Sequence, residues 1–191
     1  KIRYAVFVRT FVMDICIYGA GAIGCLLAAK ISKLPHNIYI KARGEHKNEI
    51  KKKGISYIHK SKKEIIKSNN IIILEKVENI KKFDFIFVTL KANSIDESYK
   101  DLKYLSSLDT TFVSFINGIP HWYFYGNENE FKNYKFKCID QNNNLYDLMP
   151  PSKTIGTVVY PSCEITSPGT VNHIDGNRFS IGEIDGTKSK R

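Results

Sequence analysis

The sequence predicts an α/β fold: a Rossmann-like, mostly parallel sheet flanked by helices, with a C-terminal antiparallel β-hairpin extension. Three observations predict it. The apolar run 13–18 leads into Gly19-Ala20-Gly21-Ala22-Ile23-Gly24, and an amphipathic stretch bearing Ile23, Leu27, Ile31 and Leu34 follows. Strand, glycine-rich turn and helix in that order form the dinucleotide-binding arrangement. Short apolar runs then alternate with helical patterns, as a parallel sheet with crossover helices requires. Near the end, the turn signals Pro168-Gly169 and Gly176-Asn177 set off two short strand-like segments.

The first strand is expected over 14–18. Gly19 then permits a tight turn, Gly21 close approach of a pyrophosphate, and Gly24 close packing of helix on strand. A purely structural glycine turn is the alternative. The helix is expected over 22–34, stopped by Pro35, with a second strand over 37–41. A polar helix over 45–53 ends at Gly54. Strands over 55–59 and 71–74 enclose a lysine-rich segment read as solvated. The run 83–89 suits a strand covered on both faces. It feeds a helix whose apolar face holds Ile95, Tyr99, Leu102 and Leu105. Another buried strand, 110–115, ends at Ile116-Asn117-Gly118. His121-Trp122-Tyr123-Phe124-Tyr125 is an aromatic cluster expected beside the crevice, and 154–160 reads as a late strand. Segments 170–174 and 178–182 are expected to form the antiparallel hairpin.

Hydrophobic residues at 42% and charged residues at 25% place the chain among folded proteins rather than disordered ones. No apolar run reaches the roughly 18–20 residues that span a bilayer, so no membrane partner is expected. The net charge of +10 raises nucleic acid as a partner. Its lysines are interleaved with Ile, Asn and Glu, without a reading motif, so none is expected. Cys16, Cys25, Cys138 and Cys163 show neither C-x-x-C nor metal-ligand spacing, which points to a reducing cytoplasm and no metal. Residues 1–12 read as an N-terminal extension, with Met13 as the natural start.

After the second strand the chain reads Lys41-Ala42-Arg43-Gly44-Glu45-His46-Lys47. An NAD site places a carboxylate about 20 residues past the glycines, whereas an arginine suits the extra phosphate of NADP. Arg43 lies 24 residues after Gly19 and can fork onto that phosphate, with Lys41 or Lys47 adding charge. NADP(H) is therefore expected, with a solvated loop arginine as the alternative. Ligands of an open parallel sheet collect outside the carboxyl ends of its strands, where Lys91 and Asn117 fall. Lys91 can hold a carboxylate or developing oxyanion, and Asn117 can orient a hydroxyl or the nicotinamide ribose. A surface cation and a plain Asn-Gly turn are their alternatives. His173 and Glu183 carry weaker cases, His173 as a half-buried hydrogen-bonding residue and Glu183 as a ribose acceptor.

These motifs together resemble the ketopantoate reductase (2-dehydropantoate 2-reductase) family. The resemblance runs from Met13 to Arg191. It rests on GAGAIG at 19–24, ARG at 42–44, VTLKA at 88–92, NGIP at 117–120 and IGTVVYPSCEITSPGTVNHIDGNRFSIGE at 155–183. It implies hydride transfer from NADPH to 2-dehydropantoate, or to a related 2-keto acid, giving pantoate. It also implies that Gly19, Ala20, Gly21, Ala22, Ile23, Gly24 and Arg43 hold the cofactor. Lys91 and Asn117 would then serve both catalysis and cofactor binding. In the family the general-acid lysine comes from a following helical domain, through which a homodimer could form. Here 13–183 corresponds to the NADP-binding domain and 184–191 to the start of a linker toward that domain. A non-catalytic NADP(H)-binding or sensing module, or a truncated inactive fragment, remains the alternative.

Overall fold

The first strand, β1 (Asp14–Tyr18), sends Ile15 and Ile17 to one face of its sheet and Cys16 and Tyr18 to the other, all of them buried. A strand apolar on both sides belongs in the interior of a parallel sheet, and β1 is an interior strand. The computed structural model describes residues 11–78, 80–128 and 130–189. The expected extension at 1–12 therefore lies outside the described residues except for Phe11 and Val12, which are exposed.

Helix α1 (Ala22–Ile31) follows the glycine turn and leads to β2 (Asn37–Lys41). It ends before the expected Leu34 because the residue preceding a proline is pushed away from helical angles. Leu34 is instead exposed, in a turn where its N–H donates to the Ile31 carbonyl at 2.9 Å. Helix α2 (Gly44–Lys53) and strand β3 (Ile55–His59) come next. The lysine-rich segment then folds as strand β4 (Lys62–Ile66), antiparallel to β3. Lys60 and Ser61 join them with positive φ at both residues, the conformation of a tight hairpin turn, without the glycine that signals one.

β5 (Ile72–Ile73) and β6 (Phe85–Val88) are shorter than expected. After β6 the chain makes two 3₁₀ turns, Ala92–Ser94 and Asp96–Ser98, before α3 (Tyr99–Leu105). Asn93, Ser94, Asp96 and Ser98 are short polar residues that compete for backbone groups, and Ser98 Oγ donates to the Ser94 carbonyl at 3.0 Å. Ile95, Leu102 and Leu105 are buried as the spacing predicts. β7 (Thr111–Ser114) follows, and then a polar excursion with the short helix α4 (Asn144–Leu148). The Asp140 carboxylate accepts from the first amides of α4, Leu145 N–H at 3.2 Å and Tyr146 N–H at 2.8 Å. The last strands are β8 (Thr154–Val159), β9 (Ser162–Ser167), β10 (Thr170–Asp175) and β11 (Phe179–Glu183).

Seven strands form one sheet in the order β11-β8-β7-β6-β1-β2-β5, parallel except where β11 pairs with β8. One core lies on the α1 side, with Ile17, Leu26, Ile40 and Val171. The other lies on the α3 side, with Cys16, Ile86, Leu102 and Phe112. The chain runs from β1 to β2 on one side and then returns to β6 on the other, so a switch point opens at the carboxyl ends of β1 and β6.

The C-terminal strands are antiparallel as expected, but their pairing corrects the expected hairpin. β10 turns at Pro168-Gly169 onto β9 and pairs in parallel with β3, in a second sheet ordered β4-β3-β10-β9. β11 then crosses back to the main sheet. β9 carries Ser, Thr and Glu on an exposed edge, so no apolar alternation marked it. Among the described residues, no helix is long and apolar enough to cross a membrane.

Candidate functional site

The turn after β1 is closed by contact rather than by side-chain packing. Gly19 adopts φ +120°, and a Cβ there would meet Leu90 Cδ2 at 3.0 Å and Thr89 Oγ1 at 3.1 Å. Thr89, at the end of β6, donates its hydroxyl to the Gly19 carbonyl at 2.6 Å, locking the switch point. A Cβ at Gly24 would lie 1.9 Å from that same Gly19 oxygen. Gly21 differs: a Cβ there would meet nothing within 4 Å. Its open side belongs to a cavity of about 760 Å³. The first bond of α1 runs from Cys25 N–H to the Gly21 carbonyl, 2.8 Å, so the amides of Ala22, Ile23 and Gly24 precede the helical ladder. No acidic side chain stands in that first turn and none caps it. Amides of this kind, backed by the helix dipole, attract an anion.

The cavity gathers the glycine turn with Lys41, Arg43 and His46 on one side and Thr89, Leu90 and Lys91 on the other. Arg43 is exposed at the N-terminus of α2, with no side-chain partner among the described residues. Lys41 is engaged instead: Nζ donates to the Glu75 carbonyl at 3.3 Å and lies 3.9 Å from Asp101 Oδ2. Asp101 also accepts from the Tyr18 hydroxyl at 2.7 Å. Burial first, and then that bond, push the Tyr18 phenol well above its ordinary range, so it stays a neutral donor. Of the cations foreseen for the extra phosphate, Arg43 is therefore the one at the cavity wall free to turn inward.

Lys91 is exposed on the same cavity, at the start of the first 3₁₀ turn. Asn117 is placed differently. Its amide clamps two strand ends, Nδ2 donating to the Val159 carbonyl at 2.9 Å and Oδ1 accepting from Val159 N–H at 3.0 Å. It does not line the cavity. His173 is buried in the second sheet, accepting from the Tyr57 hydroxyl at 2.8 Å and stacked 4.4 Å from His59. Glu183 ends β11, away from the cavity. His121 and Trp122 are buried, with His121 Nε2 3.1 Å from the Met149 carbonyl, so they pack the excursion rather than line the cavity.

Sequence reasoning missed two walls of the cavity. Ser94, Glu97, Ser98 and Asp101 form one, and their helical spacing was a usable signal once Lys91 was placed before them. Ile165 and Ser167 of β9, with Pro168 of the turn after it, form the other, and nothing local predicts that they return to the first βα junction.

Burial lowers the basicity of His46, outweighing the opposing pull of the nearby Ala20 backbone. Burial does the same to His121, against the Met149 carbonyl and the Asp140 charge. Both imidazoles bind a proton more readily in the unfolded chain. Their contribution to stability is thus complete above the ordinary value near 6.5 and is lost as pH falls through the lowered folded values. Melting temperature is expected to drop as pH falls below about 6.5. A flat profile there would remove the assignment of neutral, buried imidazoles. Burial also pushes the Cys25 thiol up to about 12, so it remains protonated.

The family model of ketopantoate reductase PanE/ApbA matches residues 15–186. The 2-dehydropantoate 2-reductase of Mesorhizobium japonicum is 33% identical over 180 residues, covering 94% of this chain and 54% of that protein. An oxidoreductase of Bacillus subtilis, YkpB, is 19% identical over 94% of this chain and 52% of its own length. A solved structure assigned to ketopantoate reductase of Ralstonia solanacearum superposes with a TM-score of 0.85 at 24% identity, covering 94% of this chain and 55% of that one. D-mandelate dehydrogenase in complex with NADH and anilino(oxo)acetate gives 0.66 at 19% identity, over 88% and 47%. The chain thus spans about half the length of the curated relatives it matches.

Proposed function

The chain belongs to the ketopantoate reductase family, and we propose that it is the NADP(H)-binding domain of a reductase acting on 2-dehydropantoate or a related 2-keto acid. One observation carries the reading: the glycine turn, Arg43 and Lys91 face a single cavity at the switch point of the sheet. The chain's own residues fit a dinucleotide there. The open face of Gly21 admits a diphosphate against the amides at the start of α1. Arg43 meets the adenosine phosphate, which favours NADPH over NADH.

When bound, NADPH supplies the hydride. Lys91 holds the carboxylate of a 2-keto acid or the oxyanion that forms as the ketone is reduced. Asn117 fixes the ends of β7 and β8 beside the site, and through them the position of ribose and substrate. We assign the helical domain implied by the family resemblance the role of completing the substrate site and supplying the general acid. Four free thiols accord with a reducing cytoplasm.

The test is NADPH-dependent reduction of 2-dehydropantoate and a panel of 2-keto acids by the full-length protein. Lys91→Ala is expected to lower kcat/KM about a hundredfold or more while leaving NADPH binding within about threefold. Tight NADPH binding without turnover of any 2-keto acid would turn the assignment to a nucleotide-binding module.

A further inference from the structure

The peptide between Ala20 and Gly21 is held from one side by a chain of three hydrogen-bonding groups. Gly169 N–H, in the β9–β10 turn, donates to His46 Nδ1 at 3.0 Å. That bond makes Nδ1 an acceptor and leaves the ring proton on Nε2. Nε2 lies 3.5 Å from Cys25 Sγ, and the Cys25 thiol in turn lies 3.4 Å from the Ala20 carbonyl oxygen, to which it donates. The donor polarity is consistent at every step: Gly169 N–H to imidazole, imidazole N–H to sulfur, S–H to the Ala20 carbonyl. On its other side Ala20 is tied to β2, its N–H donating to the Lys41 carbonyl at 2.9 Å.

A trans peptide points its C=O and N–H in opposite directions. Holding the Ala20 carbonyl toward Cys25 therefore turns the Gly21 N–H the other way. Gly21 has open space beside it and lines the cavity. We propose that His46 is a positioning residue for the dinucleotide turn, holding the Ala20 carbonyl through the Cys25 thiol so that the Gly21 N–H faces the cofactor diphosphate. The same ring couples this turn to the second sheet, whose Ile165, Ser167 and Pro168 wall the cavity. The inference rests on the reading of the cavity as an NADP(H) site.

The two nitrogens can be separated by substitution. Glutamine places its amide N–H₂ near the position of Nε2 and keeps a donor for Cys25. Asparagine places its amide oxygen near Nδ1 and keeps only the acceptor for Gly169. The experiment titrates the full-length wild type, His46→Phe, His46→Asn, His46→Gln and Cys25→Ala with NADPH by cofactor fluorescence, with folding checked by circular dichroism. Loss of one ordered hydrogen bond predicts about a tenfold rise in Kd for His46→Phe and His46→Asn, and recovery to within about threefold of wild type for His46→Gln. Cys25→Ala, the milder change, interrupts the same chain and is expected to weaken binding about tenfold with His46 intact. Rescue by Asn rather than Gln, or unchanged affinity in His46→Phe and Cys25→Ala, overturns the positioning role. Wild type that binds neither NADPH nor NADH overturns the cofactor reading beneath it, an outcome distinct from the first.

Discussion

Gly24→Ala is expected to destabilise the fold and the cofactor site together. A methyl at that position would lie 1.9 Å from the Gly19 carbonyl oxygen and 2.9 Å from Thr89 Oγ1. Neither neighbour can yield cheaply. The Gly19 oxygen is backbone that already accepts from Thr89, and Thr89 ties β6 to the turn. Relief requires α1 to move off β1, opening the core around Ile17 and Leu26. A loss of about 3 kcal/mol, or roughly 6–12 °C in Tm for a chain of this size, is the expected scale, with NADPH affinity falling alongside. Gly21→Ala provides the contrast. Its backbone, at φ −72° and ψ −171°, suits alanine, and a Cβ there would meet no protein atom within 4 Å. The fold should melt within a few degrees of wild type while Kd for NADPH rises about a hundredfold, because the methyl enters the space a diphosphate needs. Thermal denaturation and cofactor titration on both variants separate the two roles. Equal behaviour of the pair would show that the turn is not built around a ligand.

That contrast also shows which parts of the molecule were legible in the sequence. The bounds of β1 and β2 follow directly from apolar runs bordered by a glycine turn and a proline, since a buried parallel strand leaves a dense local signal. The second sheet left almost none. Two of its strands, β4 and β9, are exposed edges written in lysine, serine and threonine. The turn between β3 and β4 uses Lys60 and Ser61 where the usual cue is glycine. The partner of β10 depends on which edge is available in space: local signals predict a hairpin with the adjacent β11, and tertiary pairing overrides it.

The site divides in the same way. The glycine turn, Arg43 and Lys91 could be placed because each sits at the end of a predicted strand. Asn117 also sits at a strand end, yet its amide is spent on the Val159 backbone, a partner 42 residues away that no local pattern announces. His46 stands in the first turn of α2. Its importance emerges only when Cys25 and Gly169, from an earlier helix and a distant turn, arrive on its two nitrogens.

Arg43→Ala is expected to raise Kd for NADPH about 10- to 100-fold and to change Kd for NADH by no more than about threefold. The argument turns on which cation is available. Lys41, Arg43 and Lys47 lie at or just after the end of β2, but Lys41 is held by the Glu75 carbonyl and the Asp101 carboxylate. Freeing it for a phosphate would leave Asp101, among the described residues, with the Tyr18 hydroxyl as its remaining hydrogen-bond partner. Lys47 does not line the cavity. Arg43 begins α2 exposed and uncommitted, so its guanidinium can close on a phosphate without breaking an existing bond. Because the contact is at the surface, the preference for NADPH should shrink as salt screens it, most steeply in wild type and least in Arg43→Ala. Arg43→Lys keeps the charge but loses the planar fork and should fall between the two. Equal weakening of NADPH and NADH in Arg43→Ala would instead assign the residue to the shape of the loop, and the cofactor preference would then need another source.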